Sequence, residues 1–334
     1  MNDVKVKIDL AKPIGYTGLG IPLILVKLTA APSDGKLQEY TDGITFDDIK
    51  EAYDKESGVY KAAELIFMQD NKPKQIAICE TTSTVVEWLE AKGNLSHNWR
   101  QLICIGAADE IAEISAAIEK TDDKMYFASV PADDTTEFNR ENVKRTVILY
   151  CTDGKYPNPE AALVGATAGL KAGSFTYHDT ILKGITPQNL SDDEIAKIHK
   201  KGGITFVTKA GDNVTSEGIT LGGEYIDIVD SEDYVIQQIT YRTQRLLNSS
   251  KKIPYTNNGI ALLESVVVDV LQGAFNNGII ATTADGSPDF TVNFALREDT
   301  TEEQRSTRKY IGGQFTFALA GAVHYVEITG EITL

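Results

Sequence analysis

The sequence predicts an α/β first half, a helix-flanked and mostly parallel sheet, joined to an α+β second half with a mixed sheet and two long helices. Three observations carry that prediction. From about Thr45 to Ala172 short apolar runs alternate with amphipathic stretches, the pattern of strand–helix units in a parallel sheet. Two long helical patterns then follow one another, about Asp230–Asn248 and Asn257–Asn276. At both ends, residues alternate with period two: Val4, Val6, Ile8 and Leu10 against Lys5, Lys7 and Asp9, and Val326, Ile328, Ile332 and Leu334 against Glu327, Thr329, Glu331 and Thr333. That is the pattern of half-buried strands.

In chain order, the first strand is followed by KPIGYTGLGIPLILVKLTAAP, a connector rich in Gly and Pro that runs into a strand near Pro22–Leu28. A helix is expected from about Asp47 to Phe67, capped by Thr45 or Asp47. Next come the strand Gln75–Cys79, the helix Thr82–Lys92, the strand Gln101–Ile105 and the helix Asp109–Glu119. The strand Met125–Val130, a short helical piece near Phe138–Val143, the strand Thr146–Thr152 and the helix Pro159–Lys171 close the series. In SDDEIAKIHKKGG, Ser191 and Glu194 form a capping box and Gly202 and Gly203 end the helix. The strand ITFVT, a Gly-rich hairpin region through Gly211, Gly218, Gly222 and Gly223, and the helix pair come next. Strands at Phe290–Leu296 and Tyr310–Leu319 precede the terminal one.

At 334 residues the chain can bury a sizeable core, and its length suggests about two domains. The formal net charge of −16 repels a phosphate backbone, so nucleic-acid binding is disfavoured. There is no basic, then apolar, leader at Met1 and no uninterrupted apolar run of about 18 residues, so the expectation is synthesis in a cytosol without export or membrane insertion. Cys79, Cys104 and Cys151 sit in apolar strand-like contexts and read as reduced core thiols.

No catalytic or metal-binding pattern emerges. His97, His178, His199 and His324 show no zinc-type spacing. His178 and Asp179 are neighbours in sequence, so their side chains are expected to diverge. GATAGLKAGS, residues 165–174, departs from the phosphate-loop spacing and reads as small residues that allow close helix packing. Asp pairs at 47/48, 122/123, 133/134 and 192/193 fall at helix starts and loops. Neither a cofactor nor a metal is expected.

The two ends are where the sequence is most informative. An unpaired strand invites a partner. About five or six net hydrogen bonds of roughly 0.5–1.5 kcal/mol nearly cancel the backbone entropy of fixing about six residues. Burial of Val4, Val6, Ile8 and Leu10, at roughly 1.5–3 kcal/mol each, tips the balance toward pairing. The partner is the other terminus or a sheet in the same chain, or else the sheet of a neighbouring copy.

Three segments carry a family resemblance: PNPEAALVGATAGLKAGSFTYHDTILKGITPQNLSDDEIAKIHKKGGITFVTK, residues 157–209; the paired helices with IPYT between them, residues 223–281; and the closing AGAVHYVEITGEITL, residues 320–334. Together they resemble the tail sheath proteins of contractile bacteriophages, contractile bacteriocins and related injection particles. The resemblance implies a structural, non-enzymatic subunit. It implies sixfold rings stacked in a helical tube around an inner tail tube, with baseplate and tail terminator proteins as further partners, and no nucleic acid or inserted membrane. It also implies a place in the virion tail sheath or bacteriocin particle, assembled in the bacterial host cytoplasm.

On that reading residues 1–30 are an N-terminal strand arm and connector, 31–175 the α/β domain, 176–319 the C-terminal sheath core and 320–334 a C-terminal strand arm. Val4, Val6, Ile8, Leu10, Val326, Ile328, Ile332 and Leu334 would lie in exchanged strands, received by an edge near Gln314–Leu319. Gly15, Gly18 and Gly20 would serve as a hinge, since glycine tolerates large backbone changes. Arg305, Arg308 and Lys309, a basic cluster in an acidic chain, would face the tube. The alternative is an α/β enzyme or small-molecule binder with its pocket at the carboxyl ends of the strands, near Cys79, Ile105 or Val130.

Overall fold

A computed structural model describes residues 19–32 and 36–327. The chain divides into two compact units, 1–254 and 255–334.

The first unit is built on an eight-stranded sheet in the order β2-β3-β1-β4-β5-β6-β7-β8. Its strands are β1 (Ile21–Lys27), β2 (Thr41–Ile44), β3 (Ile76–Thr81), β4 (Trp99–Ile105), β5 (Met125–Val130), β6 (Thr146–Tyr150), β7 (Gly203–Lys209) and β8 (Asp212–Thr215). The six inner strands run parallel, and β2 and β8 close the edges antiparallel. The inner strands are apolar on both faces, because helices cover both. Helices α1 (Phe46–Ala52), α2 (Gly58–Phe67) and α5 (Glu160–Thr167), with the start of α7 (Ile226–Ser249), fill one core around Ile24, Phe127, Leu149 and Phe206. Helices α3 (Val85–Glu90), α4 (Ile111–Ile118) and α6 (Asp192–Lys200) fill the other, around Leu23, Trp99, Leu102 and Ile148. The mostly parallel, helix-flanked sheet is the architecture expected.

Several elements differ from expectation. The helix expected over Asp47–Phe67 is two helices. Tyr53 leaves helical geometry, and Ser57 recaps the chain by accepting from the Tyr60 N–H at 3.2 Å. The piece near Phe138–Val143 is not helical. Arg140 holds it as a turn by donating to the Leu221 carbonyl at 2.9 Å and to the Lys200 carbonyl, and Asn142 takes a left-handed φ of 58°. Strands β7 and β8, beyond residue 175, join the first sheet. Strand β7 is buried on both faces from Gly203 to Val207, so it needs the cover that sheet provides.

The small-residue segment behaves as expected. A Cβ on Gly165 would lie 2.5 Å from the Ile66 Cα, and one on Gly169 2.1 Å from the Asn71 carbonyl, so α5 lies against α2 at a distance only glycine permits. Cys79 and Cys104 both register with Leu25 of β1, on opposite sides of it. That places them two strand spacings apart, roughly 10 Å, beyond disulfide reach. All three thiols are free and buried, and burial pushes Cys151 up to about 12.

The second unit holds α8 (Asn257–Asn276), β9 (Phe290–Phe294), a short helix α9 (Glu302–Ser306) and β10 (Gly313–Phe317). Helix α8 starts at Thr256, whose hydroxyl accepts from the Gly259 N–H at 3.3 Å. It packs on β9 and β10, and its buried residues Ile260, Val267, Val270, Leu271 and Ala274 share one face. By length and composition it could span a membrane, with a mean hydropathy of 1.3, although Glu264 and Asp269 interrupt it.

Candidate assembly interface

Strands β9 and β10 form a two-stranded antiparallel sheet, pairing Phe315 with Val292 and Phe317 with Phe290. Alternation puts Phe290, Val292, Phe294, Phe315 and Phe317 on one face. Thr291 and Thr316 lie on the other, their hydroxyls 2.7 Å apart. Gly313 lies opposite Phe294, whose ring occupies the place its Cβ would take. The apolar face is incompletely covered: Phe315 is 38% exposed.

The hydrogen-bond phase fixes which groups point outward. Ala295 donates to the Gly312 carbonyl and Ala318 to the Asp289 carbonyl, each at 3.0 Å, so even-numbered residues of β10 face β9. Gly313, Phe315 and Phe317 therefore aim their N–H and C=O groups away from it. Among the described residues no strand pairs with that edge. A two-stranded sheet with an open edge and a half-buried apolar face suits the addition of further strands.

Beyond β10 the described chain continues to Glu327 without strand pairing past the Ile280–Leu319 bridge. Val323, Tyr325 and Val326 are 84%, 70% and 74% exposed. Side chains this exposed are available to a further surface.

Residues 226–332, which contain this sheet and both long helices, match the family model described as "E217 tail sheath protein gp31-like, C-terminal domain". They form a tail sheath domain. No curated protein sequence matches the chain. In fold, the whole chain is similar to a chain of the anti-feeding prophage baseplate, with a TM-score of 0.73, 13% identity, and 99% of this chain and 98% of that one covered. It is similar to the helical sheath of the same particle in its contracted state, at TM-score 0.72 and 13% identity over 98% of this chain and 97% of that one. A sheath tail protein from Listeria innocua gives a TM-score of 0.54 at 9% identity, covering 84% of this chain and 89% of the other. The sheath fold thus extends over both units.

The remaining expected site residues fall as follows. Val4, Val6, Ile8, Leu10, Gly15, Gly18, Ile328, Ile332 and Leu334 lie outside the described residues. Gly20 immediately precedes β1 with φ +150°, and a Cβ there would come within 3.0 Å of the Arg100 Cβ. A tight approach to β4 accounts for that glycine. Arg305 is half-buried and spends its guanidinium on the sheath domain itself, donating to the Thr300 carbonyl and hydroxyl and to the Arg297 carbonyl. Arg308, with a left-handed φ of 56°, and Lys309 are exposed.

Two clusters in the first unit had no sequence signal, because their members are far apart in the chain. One fastens the sheath domain's leading helix. Asp230 and Asp233, one turn apart on α7, receive the fully buried Arg100 of β4; Arg145 donates to both Asp233 oxygens at 2.8 and 2.9 Å. The Tyr177 hydroxyl donates to Asp230 at 2.8 Å. Burial disfavours the Arg100 charge, but the carboxylates of Asp233 and Asp230 outweigh it and the guanidinium stays protonated. Burial likewise disfavours the Asp233 carboxylate, and Arg100 and Arg145 outweigh that, holding it below the ordinary range.

The other cluster fills the carboxyl ends of the parallel strands, where the alternative enzyme reading would put a pocket. Lys27 pairs with Glu110, which also accepts from the Val85 N–H at 2.9 Å. Glu160 accepts from the Ser129 hydroxyl at 2.5 Å and the Asn158 amide at 2.8 Å. Each acid there is satisfied by its neighbours. His178 and Asp179 do not diverge as expected: a φ of 55° at Asp179 turns its carboxylate back to within 3.0 Å of the His178 Nδ1, and Lys209 takes the other oxygen at 2.9 Å. Asp179 thus shares its carboxylate between the His178 ring and the Lys209 ammonium.

Proposed function

We propose that this chain is a structural subunit of a contractile tail sheath. It polymerises into a helical tube around an inner tail tube by exchanging strands between copies. Contraction then drives the inner tube through a cell envelope. The observation that carries the reading is the open outer edge of β10 beside a half-buried apolar face, within a domain of the tail sheath family. Val4, Val6, Ile8 and Leu10 of one copy, and Val326, Ile328, Ile332 and Leu334 of another, supply strands of matching alternation. Residues 1–30 and 320–334 are the two arms, and the glycines of the N-terminal connector absorb the movement of one copy relative to the next. Sixfold rings, a tube protein, a baseplate and a tail terminator complete the particle, which is assembled in the host cytoplasm. Arg308 and Lys309 remain candidates for the tube contact, since neither side chain is spent on an ion pair among the described residues.

Negative-stain imaging of the purified chain tests this. Hollow tubes are expected from the full chain, and none from a chain lacking residues 1–10, whose melting transition is unchanged. Ile328→Asp should block tubes where Thr329→Asp does not, because only Ile328 belongs to the apolar series. Equal effects of the two would defeat the strand alternation, and small discrete particles from the intact chain would defeat the sheath reading.

A further inference from the structure

Helix α7 carries its acids in its first half and only cations in its second. Its buried residues, Ile226, Val229, Asp230, Ser231, Asp233, Val235, Gln237 and Thr240, end at Thr240. The helix then continues for nine residues, about 13 Å, with none buried. Along the helix Tyr234, Gln238, Tyr241, Arg245 and Asn248 recur at steps of four and three and so share a face, half-exposed at the three residues up to Tyr241 and exposed at Arg245 and Asn248, with Arg242 next to Tyr241 in the chain. Arg242 and Arg245 are exposed, as are Lys251 and Lys252 just past the helix. Residues 234–254 contain those four cations and no acid, in a chain whose net charge is −16.

None of the four cations makes an ion pair with a described residue. Offsetting the helix dipole does not explain the arginines, because the last turn of α7 carries no basic residue. Tyrosine and arginine on one face, with cations ready to be neutralised, are the composition of a protein-docking surface.

We propose that the outer face of the second half of α7, centred on Tyr241, Arg242 and Arg245, docks on the acidic surface of a second copy of this chain. The inference rests on the self-assembly proposed above. Copies each carrying −16 repel one another, and a contact that brings this face to acid offsets that repulsion. Acid is available on the same chain: Asp47, Asp48 and Glu51 on α1 and Asp192, Asp193 and Glu194 on α6 are all exposed. The docking is separate from the arms, since it joins a helix face to a folded surface.

The test uses the full chain, mixed from nitrogen-14 and nitrogen-15 preparations, assembled at low salt and treated with a carbodiimide. Mass spectrometry should find mixed-isotope links from Lys251 or Lys252 to carboxylates. Arg242→Glu combined with Arg245→Glu should keep the melting transition, raise the concentration needed for assembly about tenfold and lose that difference at high salt. Arg242→Lys with Arg245→Lys should assemble as the unaltered chain does. Assembly unaffected by charge reversal, or a defect confined to binding a different, tube-forming protein, overturns the inference and leaves the strand exchange standing. Assembly that survives arm removal but not charge reversal does the opposite. A full chain that remains monomeric at low salt overturns both.

Discussion

Glu160 shows how far a single residue can depart from its ordinary chemistry. It occupies the first position of α5, where a carboxylate gains from the helix dipole, yet it is 2% exposed. Burial pushes its pKa up from 4.5 to about 7, against the pull of the Ser129 and Asn158 hydrogen bonds. A raised carboxyl pKa means the folded chain holds a proton that the unfolded chain has released. The group's cost is therefore absent below about pH 4.5 and grows as pH rises toward 7, reaching on the order of 3 kcal/mol. Glu160→Gln should thus gain stability relative to the unaltered chain between pH 5 and pH 8 in melting-temperature measurements. A constant gap across that range would show that Glu160 is ionised throughout. Gly165 is the complementary case, legible from sequence because a run of small residues in a helical segment has few uses other than close approach. Arg100 was not legible: within WRQLICI it reads as one polar residue in a strand, and its partners lie 130 and 133 positions away.

Among the elements, α7 is fastened by residues far from it in the chain. Ile226 and Val229 pack its start into the core, and Asp230 and Asp233 tie it to Arg100 and Arg145. A buried ion cluster need not add stability over an apolar packing, but breaking one by removing a member is costly. Asp233→Ala leaves Arg145 without its carboxylate and Arg100 with one instead of two. It should cost about 3–5 kcal/mol in denaturant unfolding. A loss below about 1 kcal/mol would show that water or a rearranged Asp230 replaces it. The inner strands, the capping box of Ser191 and Glu194 and the span Asn257–Asn276 were readable because periodicity and capping are local properties. The break at Tyr53 and the membership of β7 in the sheet were not, because both are decided by what packs against them.

For the whole molecule, two compact units, 1–254 and 255–334, replace a division near residue 175, and the sheath fold covers both. Alternation at the ends of the chain was plain in the sequence, but alternation cannot name the partner strand. The structure adds the candidate receiving edge, with Gly313, Phe315 and Phe317 turned outward. The hairpin's apolar face is only half-buried, with Phe315 38% exposed, and just beyond it Val323 and Val326 are 84% and 74% exposed. The most direct measurement is an electron-microscopy reconstruction of the assembled tube in which the main chain of residues 1–10 and 328–334 can be traced. Both segments are predicted to run as strands beside β9 and β10 of neighbouring copies; tracing them back onto the sheet of their own copy would contradict the account.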